Sequence, residues 1–295
     1  MRRGTQRIAV FGLGIAIFLA ILVVVAFGDT PARPAVGEAR WATLGEATLH
    51  YHASGPASGD VVVFFPSFAR SAADFNELVE ALVRAGFRTL ALQPRGVEGS
   101  TLPSGDPTYR LYAGDLAAML DAEEIDEPVH VLGHAYGNRI ARTFATEYPQ
   151  RTRSVVLLAA GGAVPTPPDV SNAIGRAMLA ATPASMRRDA VGFAFFAEGN
   201  EVSEDWLRGW YPRAGLAEQK AVGAMPYEAW GHAGRAPILV LQPESDKAAA
   251  EGGRMLKDAF PDRVELVVVP GAGHALLPER PTMVAREVRR FLSQH

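Results

Sequence analysis

The chain has 295 residues and no cysteine, and charged side chains make up 21% of it. Without cysteine there is no disulfide framework and no thiolate metal site. No carboxylate cluster stands at metal-ligand spacing, so no metal is expected. No G-x-G-x-x-G follows a strand-like run, so no nucleotide cofactor is expected either. Internal repeats, low-complexity tracts and long charge runs are also missing. Positive charge is scarce: 29 Lys+Arg face 32 Asp+Glu, a net charge of −3. Beyond Arg2, Arg3 and Arg7 the basic count falls to 26, and the remainder carries −6. That balance argues against a nucleic-acid partner, which needs a basic face. Apolar residues are plentiful at 48%, enough to bury a large core and to exclude disorder.

Residues 8–28 (IAVFGLGIAIFLAILVVVAFG) carry no charge and follow the three arginines of residues 1–7. About 20 helical residues cross a hydrocarbon core, and positive charge stays on the cytoplasmic side. A transmembrane anchor is therefore expected, with the remainder exported. A cleaved signal sequence, leaving a secreted protein, is the competing reading, although its apolar region usually spans only about 7–15 residues. Residues 29–40, rich in Pro and Gly, read as a linker to a domain over 41–295.

In that domain, 42–55 reads as two edge strands around a turn at Gly45-Glu46. Val61–Phe65, Arg88–Leu92, Val129–Leu132, Ser154–Ala159, Ile238–Gln242 and Val264–Val269 are apolar strand runs. They alternate with helical stretches over 72–85, 109–120, 136–148, 248–259 and 282–293. This pattern predicts an α/β fold, a mostly parallel sheet with helices on both faces. Between about 163 and 236 the alternation stops, and Trp206, Trp210 and Trp230 all fall there. A helical cap over the C-terminal edge of the sheet is expected, where open α/β sheets bind ligands.

Val129–Gly137 (VHVLGHAYG) reads as strand, sharp turn and helix start, with Gly133 and Gly137 around a central Ala135. Ile238–Asp246 (ILVLQPESD) is a strand followed by an acid, and Val269–His274 (VPGAGH) is a strand end leading into a histidine. In this order the three segments resemble the nucleophile elbow, acid turn and histidine loop of α/β-hydrolases, over about residues 45–294. The resemblance implies an α/β-hydrolase sheet with a helical cap, and a catalytic acid and base at Asp246 and His274. It implies backbone donors to an oxyanion at Tyr136 and Phe68. Gln93–Ser100 resembles the family's D-x-R-G-x-G-x-S loop with Gln in place of Asp. Pro66-Ser67-Phe68 stands where the family has His-Gly-x.

Ala135 holds the position of the serine nucleophile, and a methyl group attacks nothing. Acyl-enzyme chemistry at residue 135 is therefore ruled out. Three readings remain open. One is a branch of the family that works without the serine, with His274 and Asp246 acting as a general-base pair on a small apolar ester, amide or related carbonyl compound. Another is an inactive homologue that binds a small ligand. The third is a serine hydrolase whose elbow residue was exchanged for alanine. Ser67, at the end of a central strand, offers a hydroxyl to a substrate carbonyl or a relocated nucleophile. Glu244 is an alternative acid. Structural roles are expected for His50, His52, His130 and His134, and Arg95 is expected to pin its loop.

Overall fold

The computed structural model describes residues 28–295. The predicted membrane span over 8–28 lies, but for its last residue, outside the described residues. Among those described, no helix is long and apolar enough to cross a membrane.

Strands β1 (Glu38–Leu44) and β2 (Ala47–Ser54) form an antiparallel hairpin around Gly45. Then come β3 (Val61–Phe65), α1 (Asn76–Arg84), β4 (Arg88–Leu92), α2 (Tyr109–Ala122), β5 (Val129–His134), α3 (Tyr136–Glu147) and β6 (Thr152–Leu158). Helices α4 (Pro168–Met178), α5 (Ala184–Phe195) and α6 (Pro212–Ala221) make up the cap. The chain returns to the sheet through β7 (Ile238–Pro243), α7 (Gly252–Ala259), β8 (Val264–Val269), α8 (Leu276–Glu279) and α9 (Pro281–Leu292). The eight strands lie in the order β1-β2-β4-β3-β5-β6-β7-β8, antiparallel at β1, β2 and β4 and parallel from there on.

Strand β3 shows why the sheet sits in the middle. Successive side chains point to opposite faces. Val63 and Phe65 therefore enter the core under α2 and α3, while Val62 and Phe64 enter the core under α1 and α9. All four are fully buried, and each contributes roughly 1.5–3 kcal/mol by leaving water. Helix α1 covers its face with Leu78, Val79 and Leu82. It ends before Gly86, whose φ of +94° suits only glycine well.

Several boundaries differ from the sequence reading by a residue or two, and three differ in a way that bears on the architecture. Strand β1 begins at Glu38, inside the stretch read as linker, because residues 38–44 pair in register with β2. Helix α1 is preceded by a single tight turn over Ala72–Phe75. Helix α7 starts at Gly252 rather than near 248, because Asp246 Oδ1 accepts the N–H groups of Ala248 and Ala249. Those donors hold a side chain and so do not open a helix.

The cap is tied to the body by one buried arginine. Arg70, in the loop after β3, is 1% exposed, and its guanidinium lies 4.7 Å from the ring centres of both Trp206 and Trp210. Its Nε donates to Asp74 Oδ2 at 2.9 Å, and its Nη2 reaches the Asp205 carbonyl at 3.2 Å. Thr30 also meets the cap, its N–H donating to the Trp210 carbonyl at 2.9 Å.

Candidate active site

The sharp turn between β5 and α3 is enforced by close backbone approach. A Cβ on Gly133 would fall 2.2 Å from the Gly137 carbonyl oxygen, and one on Gly137 would fall 2.1 Å from that of Phe65. Neither position admits a side chain. Between them Ala135 takes φ 52° and ψ −105°, a strained geometry for a residue bearing a Cβ. The turn presents the Ala135 methyl to the cavity and leaves the Tyr136 N–H at the start of α3, where the helix dipole favours negative charge. Among the described residues, neither the Tyr136 nor the Phe68 N–H is bonded within the chain. Both are free to serve as donors to an oxyanion.

Asp246 and His274 are brought together from the turns after β7 and β8. His274 Nδ1 lies 2.9 Å from Asp246 Oδ1 and 3.1 Å from Oδ2, with the carboxylate side chain fully buried. A carboxylate only accepts, so Nδ1 carries the proton and donates it, leaving the Nε2 lone pair for chemistry. Burial alone would push the Asp246 carboxyl up. The facing His274 and the N–H groups of Ala249 and Ala248 outweigh that and hold it below its ordinary value. Glu244 does not reach the histidine; it accepts the Gly271 N–H at 2.9 Å. His134 lies behind His274, its Nε2 donating to the His274 carbonyl at 2.9 Å. Its burial, and then its closeness to His274, push its pKa down to about 3, so it stays a neutral brace.

His274, Ala135, Tyr136, Phe68 and Ser67 all line one cavity of about 710 Å³ under the cap, with Phe195 and Trp230 on the cap side. Ser67 is 3% exposed, its carbonyl accepts the Arg70 N–H at 3.1 Å, and its hydroxyl bonds no described residue. His232 does not line the cavity; its Nδ1 accepts the Gly234 N–H. Gln93 fills the place of the family's aspartate in a structural way, accepting the Ala72 N–H at 3.0 Å and donating to Glu98 at 2.8 Å. Arg95 pins its loop through a buried pairing with Asp115, whose carboxyl burial pushes up to about 6 against the pull of the arginine.

Sequence reasoning missed Glu218 on α6. It is fully buried, accepts the Ala69 N–H at 2.7 Å through Oε2, and has no partner at Oε1. Burial pushes its carboxyl up to about 8, so it is mostly neutral at pH 7. The hydroxyls of Tyr112 and Tyr136 are likewise buried and unpaired. Arg139 and Arg142 on α3 were also unmarked. Their three-residue spacing on a helix that opens at the elbow was the available signal.

A 2-hydroxy-6-oxononadienedioate/2-hydroxy-6-oxononatrienedioate hydrolase of Paraburkholderia xenovorans is 37% identical over 125 residues, covering 41% of this chain and 43% of that protein. The chain thus matches less than half the length of that curated relative. A 2-(acetamidomethylene)succinate hydrolase of Mesorhizobium japonicum is 24% identical over 276 residues, 84% of this chain and 93% of that protein. Among solved structures, the esterase RhEst1 of Rhodococcus superposes with a TM-score of 0.73 at 22% identity, covering 86% of this chain and 98% of its own. That likeness speaks to fold. Residues 60–221 match the family profile described as the alpha/beta hydrolase fold. With that match over more than half its length, and with the elbow, acid turn and histidine loop in their places on the sheet, the chain belongs to the α/β-hydrolase fold family.

Proposed function

We propose that the protein is a membrane-anchored, exported hydrolase of a small, fairly apolar ester, amide or related carbonyl compound, working without a nucleophile at residue 135. The observation that carries this reading is the His274–Asp246 pair at 2.9 Å, opening on a cavity whose elbow residue is Ala135. An idle acid–histidine pair has no evident structural reason to be held so fully. The relatives from Paraburkholderia and Mesorhizobium are named as hydrolases of small oxo and acetamido compounds, which agrees with this class.

In the mechanism that follows, His274 Nε2 takes a proton from water as the water oxygen attacks the substrate carbonyl. The Phe68 and Tyr136 N–H groups hold the oxyanion so formed. As the tetrahedral species collapses, the imidazolium returns its proton to the leaving alcohol or amine. Asp246 keeps the ring in one tautomer and stabilises its cation. Replacing the family's serine by alanine removes one oxygen beside His274, and space for the attacking water follows. In a screen of small esters and amides, His274→Ala is expected to lower turnover of the best substrate by about 10²- to 10⁴-fold while leaving its binding largely intact. Unchanged turnover would remove His274 as the base.

A second reading, a binding protein with no turnover, draws on the Ala135 methyl and is favoured if no compound in that screen is hydrolysed. The anchor rests on residues 8–28 and the arginines before them. The protein is expected to stay with membranes through salt and carbonate washes, since hydrophobic burial is not screened. Recovery of a soluble form beginning near Asp29 would show a cleaved signal instead.

A further inference from the structure

We propose that the cavity contains a subsite for the anionic end of its ligand, formed by Arg139 with Arg142 behind it, so that the favoured substrate is an apolar carbonyl compound bearing a free carboxylate. The inference rests on the cavity being the substrate site of the proposed function, and it narrows the class of compound.

Charge inside the cavity is one-sided. Among the described residues no Asp or Glu lines it, and Arg139 is the only permanently charged one that does. Arg139 is half-buried on α3, and among the described residues it makes no ion pair and no side-chain hydrogen bond; the ring of Tyr136 lies 5.7 Å from its guanidinium. Behind it Arg142 is 1% exposed and also faces no carboxylate. Its hydrogen bonds go to the Asn138 carbonyl at 3.3 Å, to the Tyr227 hydroxyl at 3.4 Å and to the Gly161 carbonyl, and it lies 4.6 Å over Trp230. Those partners use three of its five N–H donors. Burial presses its pKa down to about 10, which leaves it charged at neutral pH.

The two guanidiniums converge on one part of the wall. The point a Cβ would occupy on Gly162, itself a lining residue, lies 3.2 Å from Arg139 Nε and 3.3 Å from Arg142 Nη2. Gly162 has a φ of +106°, so the position favours glycine and no side chain there covers Arg139 Nε, while Arg142 Nη2 beside it is held by the Gly161 carbonyl. Glu218 is the carboxyl whose field reaches Arg139, and burial keeps it mostly neutral at pH 7. Two positive charges therefore stand without a counter-charge beside an apolar cavity, an arrangement that guanidinium chemistry resolves by binding a carboxylate. Arg139 lies four residues after Ala135, about 6 Å along the helix. A ligand anion there is separated from a carbonyl at the elbow by a short spacer.

The test compares octanoate with octanol, neither of which is a substrate for hydrolysis, by calorimetry on the full chain at low ionic strength. Octanoate is expected to bind about tenfold or more tightly than octanol. The preference should shrink as salt is raised. In Arg139→Gln the preference is expected to fall to near unity, with octanol affinity within about twofold of the unsubstituted chain. Arg139→Lys should keep part of it. Equal binding of the two probes overturns the proposal. So does an octanoate preference that survives Arg139→Gln but falls in His274→Ala, which would put the carboxylate at the oxyanion donors. Because the readout is binding, absence of turnover in the ester and amide screen leaves this result standing and counts only against the hydrolytic mechanism.

Discussion

Two carboxyl groups stand just behind the cavity wall, both buried, and they behave in opposite ways. Asp246 accepts two backbone N–H groups and a histidine N–H, and is held below its ordinary pKa. Glu218 accepts one backbone N–H, leaves an oxygen unpaired, and is pushed up to about 8. Burial is common to both, so burial does not decide the charge. The facing His274 and the donors aimed at the oxygens do. One carboxyl is built to stay ionised beside a base, and the other to stay protonated beside the loop that follows β3.

The largest expected effect breaks the ionised side. Asp246→Asn should lower turnover by about 10²- to 10⁴-fold, since an amide cannot hold the His274 tautomer or stabilise its cation. Glu218→Gln, which keeps the neutral shape, should leave turnover within a few-fold. If the two variants were equally impaired, the contrast between the groups would fail.

Denaturation followed across pH sharpens the same contrast. Glu218 ionises near 4.5 when unfolded and near 8 when folded, so the folded state binds the extra proton in between. Its contribution is fully present below about pH 4.5 and declines as pH rises to about 8, by on the order of 5 kcal/mol. Glu218→Gln should flatten that decline. Asp246 has the opposite sign, because its contribution is present above its unfolded value of 3.8 and is lost as pH falls through the folded one. A stability profile unchanged by Glu218→Gln between pH 5 and 8 would show that the group is ionised after all.

The smallest effect concerns the elbow. Ala135→Ser should introduce weak fluorophosphonate labelling, readable by mass spectrometry, whereas the unsubstituted chain stays unlabelled. Stoichiometric labelling of the unsubstituted chain at Ser67 would instead reveal a relocated nucleophile.

What could be read from the sequence was written in local spacing. Val61–Phe65 announces a central strand because its apolar run must be covered on both faces. Gly133 and Gly137 announce the turn because nothing larger fits. Asp246 and His274 follow because each stands in a short loop after an apolar strand run, the first buried and the second at the half-exposed edge of the sheet. Glu218 could not be found that way. Its one backbone partner, Ala69, is 149 residues distant, and its neutrality depends on enclosure by a cap with no sheet periodicity. Arg70 reads as a surface charge until Trp206 and Trp210 close on it from the cap. Buried charge is a property of the assembled fold, so α3 reads as an ordinary amphipathic helix despite Arg139 and Arg142.

Ala135 also determines what the chemistry can leave behind. A serine enzyme parks the acyl group on its own side chain, so it shows a burst and passes the group on to added alcohols. With carbon alone at residue 135 there is nowhere to park. Catalysis through His274 and water is a single displacement, with product rising linearly from the first turnover and heavy oxygen from solvent entering the acid directly. Added methanol would then compete only as an attacking molecule and never by intercepting an intermediate.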